Sequence, residues 1–436
     1  MLKLKQSLLV LFLTACAGSC SAQNPAVPVF QNRFANYLNF KGSLSPFVSI
    51  TGKDVRIYKN SNDKARDQPE LLIDYSEIKT FEYLLKYAPQ DSIESILKRK
   101  GPNKWSKKTV AELMIQYEDE PRQLRGTKPL EGKKILIDPG HIAGTPEMAF
   151  MEQKYIRFVR DSFPALPMDS VKIQEGVLTY ATAAILKKRL EEQGANVVLT
   201  RTENKTVFGS TYNDWLNTRK KKVLDSLKTS GSIDLTKYKH LLVANDHDFF
   251  WEFFRDFELA ARGRFINRQN PDLTLIIHYN VDEKNTDWVR PSDKNLTMVF
   301  MPGAMSSDVF KSYNGKLNFL RLLLTDDLPL SERISGLTLQ EFNKQLGILP
   351  AEKKDALYLE ENCMATAQKG VFCRNLALCK SVKSPLVYGE CLFQDNRNEF
   401  MELSRTDKVF YGVHTNTRVK AVADAYFNAV MQFYKK

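Results

Sequence analysis

Lys134-Ile135-Leu136-Ile137-Asp138-Pro139-Gly140-His141 is the stretch on which the fold turns. A short apolar run that ends in Pro-Gly reads as a buried strand entering a tight turn. A histidine stands just past that turn. The pattern returns downstream, where Leu273-Thr274-Leu275-Ile276-Ile277-His278 puts a second histidine at the end of an apolar strand. The chain holds five histidines, His141, His240, His247, His278 and His414, so two at strand ends form a pattern. In an open α/β sheet, ligands bind beyond the carboxyl ends of the strands. Two imidazoles at that edge are placed to share a metal.

Working outward, Gly176 to Gly194 carries Leu178, Ala181, Ile185 and Leu190 near helical spacing, with Gly194 as a C-terminal stop. Asn196–Arg201 reads as a strand, Phe249–Arg268 as a helix with an aromatic face, and Met298–Met301 and Leu386–Leu392 as further strands. Val419–Tyr434 reads as a closing helix. This alternation predicts an α/β fold: a mostly parallel twisted sheet flanked by helices, with the site at the C-terminal strand edge. Three stretches, 142–174, 203–248 and 304–370, break the rhythm and are expected as large insertions at loop level. Upstream, 23–128 forms a small N-terminal region. It holds a strand pair within Phe47–Tyr58 that turns at Gly52-Lys53, and helices over Ser76–Arg99 and Lys107–Tyr117. Asp119–Gly132, with Pro121, Gly126 and Pro129, has the composition of a linker. The domain that carries the two histidines is therefore expected over 129–436.

These blocks resemble the zinc-dependent N-acetylmuramoyl-L-alanine amidases of the type 3 catalytic domain. In that family a hydrophobic strand ends in Asp-Pro-Gly-His, a Glu opens the next helix, and a strand follows that ends in Thr-Arg. This chain has Lys134–His141, Glu175-Gly176, Gly194 and Val197-Val198-Leu199-Thr200-Arg201 in that order. Arg262, Asn267 and Asp272 then precede Leu273–Asn280, and Ser384-Pro385-Leu386-Val387-Tyr388-Gly389-Glu390 matches the family's last strand. Ile277 and Tyr279 depart from the family's more frequent Ser and Ala. The resemblance covers about residues 133–436, interrupted by the insertions. It implies His141, Glu175 and His278 as zinc ligands and Glu390 as the catalytic acid/base. It also implies peptidoglycan as substrate, cut at the amide between N-acetylmuramic acid and L-alanine during cell-wall remodelling or cell separation.

The residue types suit that chemistry. Two neutral imidazoles and one carboxylate leave an open fourth position on zinc. Zinc brings the pKa of a water to about 7, and a nearby glutamate moves its proton. A zinc exopeptidase on a related scaffold would use the same four residues. A non-catalytic cell-wall-binding lipoprotein would keep the fold but has no use for a general base. Asp138 reads as a partner behind the ligands or as a turn residue, and Arg262 as structural. Asn245-Asp246-His247-Asp248 reads as a helix cap, with a lid ligand at His247 as the alternative. His240 and His414 read as surface residues.

The formal net charge of +12 suits an anionic polymer or membrane partner, or a dispersed solvated surface. No arginine–aromatic nucleic-acid motif is present, so nucleic acid is not an expected partner. Lys3 and Lys5 precede an apolar run, Leu8–Leu13, too short to span a bilayer but suited to a signal peptide over 1–22. Leu13-Thr14-Ala15-Cys16 resembles a lipobox; cleavage after Ala22 is the alternative. Export to the cell envelope or periplasm is expected, with membrane attachment through a lipidated Cys16 on the first reading. A regulatory protein partner stays open. Cys363, Cys373, Cys379 and Cys391 form no CxxC pair, which argues against a cysteine zinc site. A Cys373–Cys379 disulfide and buried free thiols both stay open.

Overall fold

A computed structural model describes residues 26–88, 93 and 127–435. The leader with Cys16, the helix expected over Lys107–Tyr117 and most of the linker lie outside them. The first strands form an antiparallel meander, β1 (Val48–Ile50), β2 (Asp54–Ile57) and β3 (Leu71–Asp74), and the first pair turns at Gly52-Lys53 as expected. The helix expected from Ser76 is present as Ile78–Tyr87; its expected continuation beyond Ala88 lies largely outside the described residues.

Past the linker come β4 (Lys134–Pro139), the antiparallel pair β5 (Tyr155–Val159) and β6 (Ser170–Gln174), β7 (Asn196–Leu199) and β8 (Leu273–Asn280). Then follow β9 (Met298–Pro302), β10 (Cys363–Ala365), β11 (Val371–Arg374) and β12 (Leu386–Phe393). A short ribbon, β13 (Lys408–Phe410) and β14 (Val413–Thr415), precedes the last helix. The main sheet has seven strands in the order β10-β11-β9-β12-β8-β4-β7. The run β12-β8-β4-β7 is parallel throughout, whereas β9 pairs antiparallel with β12, and β10 with β11.

Both faces of this sheet are covered, which is why its central strands read as unbroken apolar runs. Ile135, Ile137, Leu275, Ile277 and Val387 point into one core layer. Against that layer lie the helices Glu175–Glu192, Asp327–Leu346 and Thr417–Tyr434. Leu136, Ile276 and Leu386 point the other way and pack on Ile266 of the helix Arg255–Gln269 and on Leu378 and Val382. Period-two alternation thus sorts each strand between two helical layers.

The three interrupting stretches are more ordered than expected. Residues 142–174 hold a short helix, Pro146–Met151, and the β5–β6 pair. Residues 203–248 fold into the helices Tyr212–Thr229 and Leu235–Val243. Their apolar faces join Phe249, Phe250 and Phe254 in a second core with Ile142 and Met148. Residues 304–370 contain two helices, Tyr313–Leu324 and Asp327–Leu346, rather than loop. Every residue from Lys316 to Leu324 is buried, so the first of them lacks the polar stripe by which a helix is recognised in sequence.

That stretch also holds the N-terminal region in place. Arg33 donates to the carbonyls of Leu323 and Thr325 at 3.0 and 2.7 Å. Ala304 and Met305 donate to Tyr37 and Leu38 at 2.7 and 2.8 Å. Lys316 pairs with Glu70 at 2.7 Å. Cys363, Cys373, Cys379 and Cys391 are buried free thiols.

Candidate metal centre and active site

Four sequence blocks meet at the carboxyl edge of the β12-β8-β4-β7 run. His141 follows the turn that ends β4, and the Gly140 N–H donates to Ile277 of β8 at 2.9 Å. His278 lies near the end of β8, and Glu175 is the first residue of its helix. Ligand-capable atoms of His141, Glu175 and His278 all lie within 4.8 Å of one another. Glu175 Oε2 is 3.2 Å from His141 Nε2, and Glu175 Oε1 is 3.0 Å from His278 Nδ1. Donors about 2.0–2.2 Å from a zinc ion stand about 3.4 Å apart in a tetrahedral shell, so this donor set fits that ion.

Only a glycine permits the approach. A Cβ on Gly140 would lie 2.1 to 2.6 Å from three atoms of the His278 ring. On the other side the Tyr388 ring stacks on His278 at 4.6 Å and 5°. Glu390, two residues along β12 from Tyr388, pairs in register with His278. His278, Tyr388 and Glu390 therefore share one face of the sheet.

The supporting shell is built from buried charge. Arg201 Nε donates to the carbonyls of Pro139 and His141 at 2.9 Å, and its Nη2 donates to those of Gly140 and Gly176 at 2.9 Å. One guanidinium thus ties the turn of His141 to the helix of Glu175. Burial, then the neighbouring Arg262, lowers its pKa to about 10, so it stays charged at neutral pH. Arg262 pairs with Asp138 at 3.2 Å and Glu258 at 2.9 Å, and donates to the His141 carbonyl at 3.2 Å. Asp138 is thus the buried counter-ion of Arg262, and Arg262 braces the turn. Gln394 Nε2 donates to Glu175 Oε2 at 3.1 Å and fixes the carboxylate from behind.

Glu152 is the residue that sequence reasoning missed. It sits in the first insertion, is buried, and accepts the backbone N–H of Ile142. Its Oε1 is 3.4 Å from His141 Nδ1. A carboxylate behind an imidazole fixes ring orientation and makes it a stronger ligand. The only sequence signal is an acid following the apolar Met148-Ala149-Phe150-Met151.

Electrostatics single out the same residues. Burial works against the charge on Glu175, but His141 and hydrogen bonds with both imidazoles outweigh it and hold the carboxyl well below its usual range. Burial also opposes charge on His141, yet Glu175 and Glu152 raise its pKa to about 9. His278 is lowered by burial, reinforced by His141 and opposed by its hydrogen bond with Glu175. Burial and the Glu175 carboxylate push Glu390 up to about 8. A carboxylate held ionised between two imidazoles attracts a cation.

A cavity of about 230 Å³ opens over the centre, lined by His141, His278, Glu152, Lys154 and Tyr388. Phe250, Trp251 and Arg255 line it from the aromatic segment. The other three histidines stay outside. His240 pairs with Glu252 at 2.6 Å on the surface, and His414 is exposed. His247 is exposed beside Asp248, while Asn245 Oδ1 accepts the Asp248 N–H at 2.9 Å; the run caps the helix.

No curated protein matches the chain. Among solved structures, the CwlD amidase from Clostridioides difficile, determined in complex with the GerS lipoprotein, is 16% identical with a TM-score of 0.37. The match covers 69% of this chain and 98% of that one. Ami1 of Mycobacterium abscessus is 12% identical with a TM-score of 0.37, covering 70% and 100% of the two chains. AmiC2 of Nostoc punctiforme is 11% identical with a TM-score of 0.34, covering 71% and 100%. The family model for N-acetylmuramoyl-L-alanine amidase matches residues 135–410, a span that begins in β4 and takes in His141, Glu175, His278 and Glu390. On that match, over more than half its length, the chain belongs to the N-acetylmuramoyl-L-alanine amidase family.

Proposed function

We propose that this chain is a zinc hydrolase that cuts the amide between N-acetylmuramic acid and L-alanine in peptidoglycan, and so remodels the cell wall. The observation that carries this reading is the convergence of His141, Glu175 and His278 within 4.8 Å, with Glu390 in register beside His278. His141, Glu175 and His278 would hold the ion. When bound, zinc supplies Lewis acidity toward the scissile carbonyl and a water, and positive charge that favours the ionised form of Glu390. Glu390 takes the proton from the water and delivers it to the leaving nitrogen of L-alanine, a role worth roughly 10²–10⁴-fold in rate. Arg201, Glu152 and Gln394 hold the ligands in place while this happens.

The proposal extends to the rest of the chain. Residues 129–436 carry the catalysis, and 1–22 act as an export signal to the cell envelope. On the lipobox reading the cut falls ahead of Cys16, which is then the lipid-attachment point. No described helix is long and apolar enough to cross a membrane.

The test is zinc content together with release of L-alanine-terminated peptides from purified peptidoglycan, for wild type, Glu390→Gln and His278→Ala. The expected result is about one zinc and activity in wild type, zinc without activity in Glu390→Gln, and neither in His278→Ala. Wild type that holds zinc and cleaves free peptides but not peptidoglycan would make the exopeptidase reading correct. Wild type that binds no zinc would overturn the proposal.

A further inference from the structure

Three cationic side chains line the cavity over the centre: Lys154, Arg255 and Arg262. Two of them are engaged by the protein itself. Arg262 pairs with the buried Asp138 and Glu258, and Arg255 with Asp256 at 2.9 Å. Lys154 differs. Among the described residues, no carboxylate pairs with its ammonium and no carbonyl accepts from it; it lies over the Trp288 ring, with Nζ 4.6 Å from the centroid.

The position is built into the backbone. Lys154 closes the turn between the helix Pro146–Met151 and β5. Its N–H donates to the Ala149 carbonyl at 2.7 Å, and its own carbonyl accepts the N–H of Glu175 at 3.1 Å. The lysine is thus tied to the residue that opens the ligand helix. Trp288 is held as well, because its carbonyl accepts the Arg157 N–H of β5 at 3.2 Å. Stem and ring are fixed to one strand, so the ammonium has little freedom left to lose on binding.

An ammonium held this way asks for a partner. Lys154 is half-buried, and partial loss of water from a charge is unfavourable. The face of an aromatic ring returns only part of that loss. A lysine without a role in the cavity would carry its charge out into water on its flexible stem. Lys154 instead faces inward, where its charge favours the deprotonated forms of His141, Glu175 and Glu390. The other acids of the cavity are taken: Asp138 by Arg262, and Glu152 by the Ile142 N–H beside His141.

The substrate of the proposed reaction carries a matching group. In peptidoglycan the residue after L-alanine is a glutamate joined through its side-chain carboxyl. Its α-carboxyl is left as a free carboxylate in some walls and is amidated in others. With successive Cα atoms about 3.8 Å apart, that carboxyl lies at most about 6 Å from the scissile nitrogen. A stem whose amide sits at the centre therefore brings this group into the same cavity.

We infer that Lys154 is a specificity-determining residue: it pairs with the α-carboxylate of the second stem residue and so selects free-acid stems over amidated ones. The inference rests on the amidase reading above for the identity of the substrate, and on Lys154 with Trp288 for the preference. An amide in place of the carboxylate gives up a charge-assisted hydrogen bond and leaves the ammonium unpaired. Lys154 lies in the stretch 142–174, which interrupts the blocks that carry the family resemblance.

Two soluble stems that differ only at that carboxyl test it: N-acetylmuramoyl-L-alanyl-γ-D-glutamyl-L-lysine and the same compound with its α-carboxyl amidated. The full chain is loaded with zinc, inactivated by Glu390→Gln, and titrated with each by calorimetry, alone and with Lys154→Met or Lys154→Arg added. The protein that keeps Lys154 is expected to bind the acid at least about tenfold more tightly. Lys154→Met should remove the difference by weakening the acid alone, and Lys154→Arg should keep it, with zinc content constant throughout. With Glu390 restored, the preference should appear as a lower KM for the acid at similar kcat. Equal binding of the two stems by the protein with Lys154, or a preference that survives Lys154→Met, overturns the assignment. So does a Lys154→Met loss shared equally by both stems, which would place the paired carboxylate on the third residue. Cleavage of peptidoglycan without any preference loses only the role of Lys154; a preference that follows Lys154 in a chain that hydrolyses nothing loses only the amidase reading.

Discussion

Replacing Gly140 by alanine tests the architecture of the centre without touching a ligand. The added methyl would sit 2.1 Å from the nearest atom of the His278 ring, where ordinary contact begins near 3.4 Å. Either ring or turn must give by about 1.3 Å. The ring cannot retreat freely, because Tyr388 stacks on its far side at 4.6 Å. The turn cannot either, because Arg201 holds the carbonyls of Pro139, Gly140 and His141. Metal sites tolerate errors of only about 0.2 Å in ligand distance, so the displacement breaks the trio. Gly140→Ala is therefore expected to lose at least about 100-fold in zinc affinity, comparable to the upper range for removing a supporting residue. The cost in fold stability should be smaller, about 1–3 kcal/mol, as for other overpacked sites. Zinc affinity from competition with a chromophoric chelator, beside a urea unfolding curve, separates the two. A variant that binds zinc as wild type does, with unchanged stability, would refute the claim that His278 is clamped between Gly140 and Tyr388.

Other outcomes follow from the supporting residues. Glu152→Gln is expected to weaken zinc binding about 10–100-fold while the fold holds, by the same competition assay; unchanged affinity would remove Glu152 from the site. Arg262→Leu leaves Asp138 and Glu258 as buried carboxylates without their cation. A loss of about 3–5 kcal/mol in unfolding free energy is expected, and a loss below 1 kcal/mol would mean the pair is dispensable. Asp395 is pushed up to about 6 by burial, against hydrogen bonds from Asn285 and the Asp282 N–H. Its folded form holds the proton more tightly than the unfolded chain, so its stabilising contribution is present below about pH 4 and lost as pH rises through 6. The shift of about two units corresponds to about 3 kcal/mol. Asp395→Asn should flatten the stability profile between pH 4 and 6; parallel profiles for variant and wild type would exclude that titration.

The sequence exposed this centre unevenly, for physical reasons. His141 and His278 stand out because each ends an apolar run at the carboxyl edge of a sheet whose strands are buried on both faces. Glu175 and Glu390 are legible only through their resemblance to the family's helix-opening and last-strand blocks; that Glu175 opens its helix, and that Glu390 shares a face with Tyr388, are findings of the structure. Glu152 has no such marker. It lies in an insertion with Glu147 close by, and only the folded position of Ile142 distinguishes the buried acid from the solvated one. Arg201 reads as the end of a strand, yet its guanidinium serves carbonyls of the His141 turn and of the Glu175 helix, a convergence no local pattern encodes. The helix Tyr313–Leu324 was hidden by its own burial.

The contacts of residues 33–70 with the segment 304–325 have a practical meaning for anyone who would divide this chain. A fragment cut at residue 129 would keep every ligand of the centre, yet would strip the cover from Phe319 and Met305 and orphan the buried Lys316 ammonium. The N-terminal region thus behaves as a splint, and expression trials should retain it from Ala26 onward even though none of its described residues belongs to the His141–Glu175–His278 trio.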